Sequence, residues 1–221
     1  MKKADILAAL KNFPYDRGDY RVVTGGAMVL YGIREETHDI DLGCTSKMAD
    51  RLEAEGYLHQ VMPDGNRWFK LDKDTEVFEN WLYGTPVMID GIPVISLSGL
   101  LEMKQKLGRE KDLRDMELIR GHMEMRRAQL QRIARYEGLL NSLRQALSRP
   151  DASAEELAAL RGDAEALGQY YGSADWKKDY SDDEAGWLPK DLARGVLSED
   201  GIYNVLEAYR ERLEETAAGA D

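Results

Sequence analysis

The chain has 221 residues, and its 41 acidic side chains outnumber its 30 lysines and arginines, which gives a net charge of −11. This balance disfavours general binding to a nucleic-acid backbone or an anionic membrane, so a small-molecule or protein substrate is expected before RNA. The length suits two small domains, and the lack of a signal-peptide core or of about 18 consecutive apolar residues predicts a cytoplasmic protein.

The first 121 residues are predicted to form a mixed α/β domain. Helical stretches alternate with β-rich runs, which read YRVVTGG, NRWFKLD, TEVFENWLY and MIDGIPVISL. Cys44 is the one cysteine of the sequence, so no intramolecular disulfide can form. We expect its thiol to be buried or half-buried at the end of a strand, which fits a reducing cytosol.

A strand, a diglycine and a helix follow one another near the start of this domain. Residues 21–24 form a short run with β-branched members, Gly25 and Gly26 follow, and residues 27–31 suit a helix. Backbone amides at such a helix start can hold an anion and are one way to bind a triphosphate. A diglycine alone is more often only a turn.

Two aspartates one strand step apart add a second kind of chemistry. Alternate residues of a strand share a face, so Asp39 and Asp41 should point together while Ile40 and Leu42 enter the core. Two adjacent carboxylates repel each other unless a cation lies between them. Mg²⁺ suits such oxygen ligands and takes substrate phosphate oxygens as further ligands.

In this order and spacing, the residues resemble the nucleotidyltransferase superfamily that shares a polymerase-β-like core. Gly25, Gly26 and the Asp39-Ile40-Asp41 stretch fit the family pattern. Small bacterial members often carry a G-x-R-x-x-T-x-D-x-D form, which Gly32, Arg34, Thr37, Asp39 and Asp41 match. A second segment is similar to the K-x-x-x-x-R-x-K-D-x-x-D helix of these enzymes, through Lys104, Arg109, Lys111, Asp112 and Asp115.

The resemblance implies an α+β protein whose N-terminal domain, residues 1–121, has a polymerase-β-like fold with a mixed sheet. It implies transfer of a nucleoside monophosphate from an NTP, with ATP expected, to a hydroxyl acceptor, with release of pyrophosphate. Mg²⁺ or Mn²⁺ would be held by Asp39, Asp41 and a third carboxylate, for which Glu76 fits better than Glu79.

The resemblance also implies a nucleotide-binding set. Its members are Gly25, Gly26, Arg34, Thr37 and Lys104. Arg109 or Lys111 is the alternative to Lys104 as the phosphate-neutralising cation. A surface charge network on a helix is an equally open interpretation of Lys111, Asp112 and Asp115.

Residues 122–221 are predicted to be a helical domain, joined to the first by a continuous helix around residues 115–130. An apolar stripe at steps of three and four runs through residues 130–147, and Pro150 ends it. Ser153 and Glu156 then form a capping-box signature. A second striped helix over residues 157–171 should pack on the first as an antiparallel hairpin. The last helix is predicted to start at residues 198–200.

The second half also carries a signature that resembles an uncharacterised bacterial helical domain family, over roughly residues 124–215. It includes YYGS at residues 170–173, Trp176, an Asp-Tyr pair at 179–180 and GVLSED at 195–200. We interpret its aromatic residues as core, with a ligand or partner groove as the alternative. Asp175, Asp179, Asp182, Asp183 and Glu184 are expected to be helix-start and surface acids rather than a metal site.

A catalytically silent alternative remains open at this point. The same fold could serve as a nucleotide-binding or antitoxin-like interaction module, and the helical half could hold a protein partner or a second copy of the chain.

Overall fold

The structure, a computed structural model, describes residues 1–218 and is an α+β protein. It divides into two compact units, Met1–Glu124 and the residues from Met125 onward. This division lies close to the boundary predicted after residue 121. No helix within residues 1–218 combines the length and apolar character needed to cross a membrane.

The first unit contains seven strands and the first helices of the chain. In chain order the elements are α1 (Lys3–Lys11), β1 (Tyr20–Val22), α2 (Thr24–Leu30), β2 (Ile40–Cys44), α3 (Ser46–Ala54), β3 (His59–Val61), β4 (Arg67–Lys70), β5 (Thr75–Glu79), β6 (Pro86–Ile89), β7 (Ile92–Ile95) and α4 (Leu97–Leu107). A 38-residue helix, α5 (Glu110–Leu147), starts in this unit and continues into the second. The continuous helix predicted around residues 115–130 is therefore confirmed.

The seven strands form one mixed sheet in the order β3-β4-β5-β2-β1-β7-β6. The pairs β2–β5 and β1–β7 are parallel, and the other four pairs are antiparallel. Strand β2 lies at the centre, with β5 on one side and β1 on the other. The residues at its start are therefore flanked by two neighbouring strands.

Alternation along the first part of β2 separates a core face from a more exposed, polar face. Ile40, Leu42 and Cys44 are completely buried, whereas Asp41 between them is half-buried. The predicted inward and outward faces of this strand are confirmed, and so is the buried thiol at its end. Burial raises the pKa of Cys44 to about 12, and the nearby Glu79 carboxylate adds to the increase.

The second unit is helical. After α5 it contains α6 (Ala154–Ala159), α7 (Arg161–Tyr170), α8 (Ala174–Glu184), a 3₁₀ turn (Gly195–Leu197) and α9 (Glu199–Ala218). Ser153 caps α6 with the predicted capping box, since its side chain accepts from Glu156 N and the Glu156 carboxylate accepts from Ser153 N. The predicted single helix over residues 157–171 is wrong, because Leu160, with ψ at 3°, leaves the helical region and separates α6 from α7.

The predicted stripes pack together in the second core. Ile133, Leu140 and Leu143 of α5 belong to the same buried cluster as Leu157 and Leu167 of α6 and α7. The Tyr136 and Tyr170 rings stack with centroids 3.9 Å apart. This arrangement agrees with a packed helical hairpin, apart from the break at Leu160.

The aromatic residues of the C-terminal signature contribute to this core, as favoured from the sequence. Trp176 is buried, stacks on Tyr180 and meets the ring of Tyr171 edge-on. Its indole N–H donates to Val196 O at 2.7 Å, and the Tyr171 hydroxyl donates to Glu199 O. The aromatic cluster therefore connects α8 to the start of α9.

Candidate functional site

Pairing of β2 with β5 brings Asp41 beside Glu76. The two strands are parallel, and their register places Asp41 opposite Glu76 and Leu42 opposite Val77. Paired residues of adjacent strands project from the same face. Leu42 and Val77 are buried on the core face, so the two carboxylates lie together on the opposite face. Asp39 directly precedes β2.

The environment of Asp41 is unfavourable to its negative charge. Burial raises the pKa of Asp41 to about 6, and repulsion from Asp39 and Glu76 adds to the increase. The Thr24 hydroxyl, which donates to Asp41 Oδ2, and the charge of Lys104 act in the opposite direction. All three predicted carboxylates are therefore close enough to interact.

These carboxylates are neighbours without forming a complete ligand set. Among residues 1–218, no group of three or more His, Cys, Asp or Glu side chains is arranged to hold a metal ion. Mg²⁺ in nucleotide sites is commonly bound by one or two carboxylates, with substrate phosphate oxygens and waters as the other ligands. A partial set of protein ligands is compatible with that mode of binding.

Glu76, which the sequence favoured as the third carboxylate, and the alternative Glu79 have different surroundings. Glu76 is half-buried, accepts from Trp68 Nε1 at 3.1 Å and lies 3.9 Å from Lys70 Nζ. Glu79 is buried and accepts twice from the Arg67 guanidinium at 2.8 Å. These hydrogen bonds lower the pKa of Glu79 to about 2. Glu79 is an internal ion-pair partner, and Glu76 is the carboxylate beside Asp41.

Gly25 and Gly26 lie in the first turn of α2 rather than in a turn before it. The first hydrogen bond of the helix runs from Ala27 N to Val23 O, so the preceding amides have no partner within the helix. Neighbouring side chains approach both glycines closely and leave little room for a Cβ at either position. A Cβ at Gly25 would lie 2.6 Å from Thr37 Oγ1, and one at Gly26 would lie 3.0 Å from Val22 Cγ1. Thr37 and Gly25, which were both predicted to bind the nucleotide, therefore lie directly against each other.

Lys104 belongs to a buried ionic network. Its ammonium donates to Asp112 Oδ1 at 3.0 Å and to Asp115 Oδ2 at 2.7 Å, and none of the three side chains is more than 3% exposed. Two arginines complete the network from its rim, since Arg109 binds Asp112 and Arg34 binds Asp115. The interpretation as a surface charge network is therefore wrong for Asp112 and Asp115. Both side chains are buried, and Lys104 and the two arginines compensate their charges.

The network lowers the pKa of Asp112 and restricts the movement of Lys104. Burial alone would raise the pKa of Asp112, but hydrogen bonds from Arg109 and Lys104 lower it to about 2. Lys104 uses two of its three ammonium donors on these carboxylates and its side chain is buried, so contact with a phosphate would require the network to rearrange. Its assignment as a nucleotide-binding residue stays a prediction. The Arg109 and Arg34 side chains are 49% and 38% exposed and can reach an anion without that cost.

A polar cavity adjoins the segment that leads into β2. Its volume is about 460 Å³, and its lining includes Arg34, Thr37 and His38. His38 is exposed, so it contributes a polar wall rather than a core contact. The cavity places the predicted nucleotide-binding residues Arg34 and Thr37 beside solvent-accessible space.

A loop after β5 crosses the same face of the sheet as Asp41. Gly43 lies two residues after Asp41, and a Cβ on it would lie 1.9 Å from the carbonyl oxygen of Trp81. The Trp81 ring stacks on Phe78 at 4.1 Å. Arg21 Nη1 lies 2.6 Å from Gly84 O and holds the loop to β1. Gly43 is required here because the loop backbone occupies the space of a side chain.

Gly43→Ala is therefore expected to destabilise the first unit by about 1–3 kcal/mol, since the loop backbone must shift to admit the methyl group. Urea denaturation followed by circular dichroism measures the effect. Gly121→Ala is the matched control, because a Cβ at this helical position meets nothing within 4 Å. The control should stabilise by about 0.5–1 kcal/mol. Equal stability of Gly43→Ala and wild type would contradict the close approach.

The acidic segment of the second unit is partly an internal network, which corrects the expectation of surface acids. Asp179 is completely buried, and it accepts from Arg132, Gln129 and Tyr170 at 2.7–2.9 Å. Arg132 lies 47 residues away on α5, so no local pattern signals the pair. Asp179 serves the packing of α8 on α5.

Two residues of the candidate site were missed in the sequence. Thr24 contacts Asp41, and Trp68 contacts Glu76. Thr24 stands next to the diglycine, which is a usable local signal. Trp68 reaches Glu76 from the neighbouring strand β4, and the sequence carries no signal for that contact.

Comparison with known proteins adds information on the helical segment. No curated protein and no solved structure matches the chain. Residues 133–217 match the family model described as a domain of unknown function, DUF4298. This region includes most of the buried core of the second unit. The C-terminal helical segment is thus similar to the DUF4298 domains.

Proposed function

We propose that the protein is a metal-dependent nucleotidyltransferase that transfers a nucleoside monophosphate from an NTP to a hydroxyl acceptor. One observation carries the proposal. Asp41 and Glu76 occupy paired positions on adjacent parallel strands, and Asp39 precedes the same strand. The polymerase-β-like resemblance of the motif residues supports the same reaction.

The residues present fit a divalent cation. Asp41 carries its charge in a half-buried place beside two further carboxylates, an arrangement that a cation would relieve. Asp39 and Asp41 are the proposed ligands, with Glu76 as the third carboxylate. A bound Mg²⁺ would supply charge neutralisation at the phosphates and lower the pKa of an attacking hydroxyl.

The protein groups around the carboxylates have separate proposed roles. The first-turn amides of α2 at Gly25 and Gly26 would donate to phosphate oxygens. Arg109, whose charge interacts with that of Asp41, and Arg34 are exposed cations at the edge of the site. Glu76 would accept the acceptor hydroxyl proton, and pyrophosphate would leave from the side of the arginines.

The second candidate function is a catalytically silent nucleotide-binding or antitoxin-like module. Two observations favour it. The three carboxylates do not form a complete ligand set within residues 1–218, and Lys104 is occupied by Asp112 and Asp115. Such a module would bind a nucleotide or a protein partner without transfer.

The test combines nucleotide binding with transfer. Isothermal titration calorimetry of the full chain with each of the four NTPs, in Mg²⁺, Mn²⁺ or EDTA, measures metal-dependent nucleotide binding. Labelled ATP with a panel of small-molecule, protein and RNA acceptors measures transfer, and pyrophosphate release is recorded in parallel. Asp39→Asn should abolish both signals. Glu117→Gln is the control, because Glu117 is an exposed acid of the first unit and does not line the cavity of Arg34 and Thr37.

The outcomes separate the two candidates. Metal-dependent binding with transfer that Asp39→Asn removes supports the enzyme. Binding without transfer to any acceptor in the panel favours the silent module. If the wild type shows neither metal-dependent binding nor transfer, the nucleotidyltransferase proposal is wrong.

A further inference from the structure

Thr24 has a backbone conformation that β-branched residues rarely adopt. Its φ is 49°, in the left-handed region, and the residue is only 7% exposed. The other non-glycine residues with positive φ within residues 1–218 are Asn80 and Asp90, residue types that tolerate this region. A strained β-branched residue persists only where its surroundings hold it, and such strain is concentrated at functional sites.

This conformation brings the Thr24 hydroxyl to Asp41. In the antiparallel β1–β2 register, Val22 lies opposite Leu42, and Val23 N donates to Asp41 O at 2.9 Å. Continued extension would turn the Thr24 side chain to the opposite face, because successive strand residues alternate. The left-handed turn instead places Oγ1 where it donates to Asp41 Oδ2.

We propose that Thr24 is a positioning residue for the metal ligand Asp41, an inference that rests on the proposed function. A carboxylate held at one oxygen keeps the direction of its other oxygen. Hydrogen bonds of this kind orient metal ligands, and their loss typically costs 10–100-fold in metal affinity. Thr24 thus acts through Asp41 and needs no contact with the metal or the nucleotide.

A purely structural role makes a different prediction. If the hydroxyl only satisfies a half-buried carboxylate, its loss lowers the melting temperature, and the affinity of the folded protein for metal stays the same. Metal affinity measured on folded variants therefore distinguishes positioning from structural support.

Three substitutions separate the hydroxyl from the shape and the strain of Thr24. Thr24→Ser keeps the hydroxyl. Thr24→Val keeps the branched shape and removes the donor. Thr24→Gly also removes the donor, and it accepts a φ of 49° without strain, so it keeps the test informative if the valine variant does not fold.

The experiment titrates the full chain with Mn²⁺, alone and with a non-hydrolysable ATP analogue that can complete the ligand set. Electron paramagnetic resonance follows the free ion against a protein-free control, and circular dichroism checks folding. The valine and glycine variants should bind Mn²⁺ about 10–100-fold more weakly than wild type, and the serine variant within about threefold of it. A folded variant without the hydroxyl that binds Mn²⁺ as wild type does would overturn the positioning role alone. A wild type that binds no Mn²⁺ under either condition would overturn both this role and the metal site of the proposed function.

Discussion

Lys104→Met is expected to lower the free energy of unfolding of the first unit by about 3–5 kcal/mol, the range for removing one partner of a buried ion pair. The ammonium lies between the carboxylates of Asp112 and Asp115, and both side chains are at most 1% exposed. Without it, two buried negative charges face each other, and only the half-exposed Arg109 and Arg34 remain to compensate.

Urea denaturation monitored by circular dichroism measures this loss, and a separate transition is expected for the helical unit because the chain has two cores. Lys111→Met is the matched control, since Lys111 is an exposed lysine of the same motif. It should change the unfolding free energy by no more than about 0.5 kcal/mol. A loss below about 1 kcal/mol for Lys104→Met would mean that the network contributes little to the fold.

The result also bears on how the motif containing Lys104 works. A lysine that must stay between two aspartates is a poor mobile phosphate ligand. It stabilises the junction of α4 and α5, and its charge still acts on Asp41 at a distance. Under the proposed function, the exposed Arg109 would then replace Lys104 as the cation for a phosphate, an alternative that the sequence already contained.

Local sequence patterns predicted the features that depend on neighbours along the chain. The alternation of Ile40, Asp41 and Leu42 fixes the two faces of β2, because strand periodicity is a property of the backbone. The capping box of Ser153 and Glu156 needs only a three-residue separation. Both features are confirmed by burial and hydrogen bonding.

The features that the sequence did not predict depend on contacts between distant segments of the chain. Asp179 looked like a surface acid because its partner Arg132 lies on another helix, and the burial of Asp112 and Asp115 depends on Lys104 from α4. Likewise, the sequence favoured Glu76 over Glu79 only through its neighbours along the chain, whereas the β2–β5 register shows that Glu76 lies beside Asp41. Charged residues are buried only where the fold supplies a partner, and a single sequence does not reveal that partner.

Asp41→Asn is expected to abolish metal-dependent nucleotide binding and, at the same time, to stabilise the metal-free fold. The folded-state pKa of Asp41, about 6, exceeds the ordinary value of 3.8, because burial and the neighbouring carboxylates disfavour its charge. Ionised Asp41 therefore destabilises the fold. The penalty is absent below about pH 4, grows as the pH rises towards 6 and is constant above that.

At pH 7.5 in EDTA, the asparagine variant should exceed wild type in unfolding free energy by about 2 kcal/mol, after allowance for partial solvation of a half-buried group. Near pH 4 the difference should vanish. The comparison with wild type removes the opposite pH dependence contributed by Glu79 and Asp112, whose pKa values are both lowered. Glu117→Gln, at an exposed position outside the cavity, is the control variant.

Addition of Mg²⁺ and ATP should reverse the order of stability. Ligand that binds only the folded state adds RT ln(1 + [L]/Kd), about 2.7 kcal/mol at one hundred times Kd, to wild type and nothing to the variant. An asparagine variant that is less stable than wild type in EDTA at pH 7.5 would contradict an electrostatic cost at Asp41. A variant that retains metal-dependent ATP binding would instead remove Asp41 from the metal site. These results would show that ionised Asp41 destabilises the metal-free fold and is needed for ligand binding. This trade-off is expected of a functional carboxylate, because the ligand rather than the fold stabilises its charge.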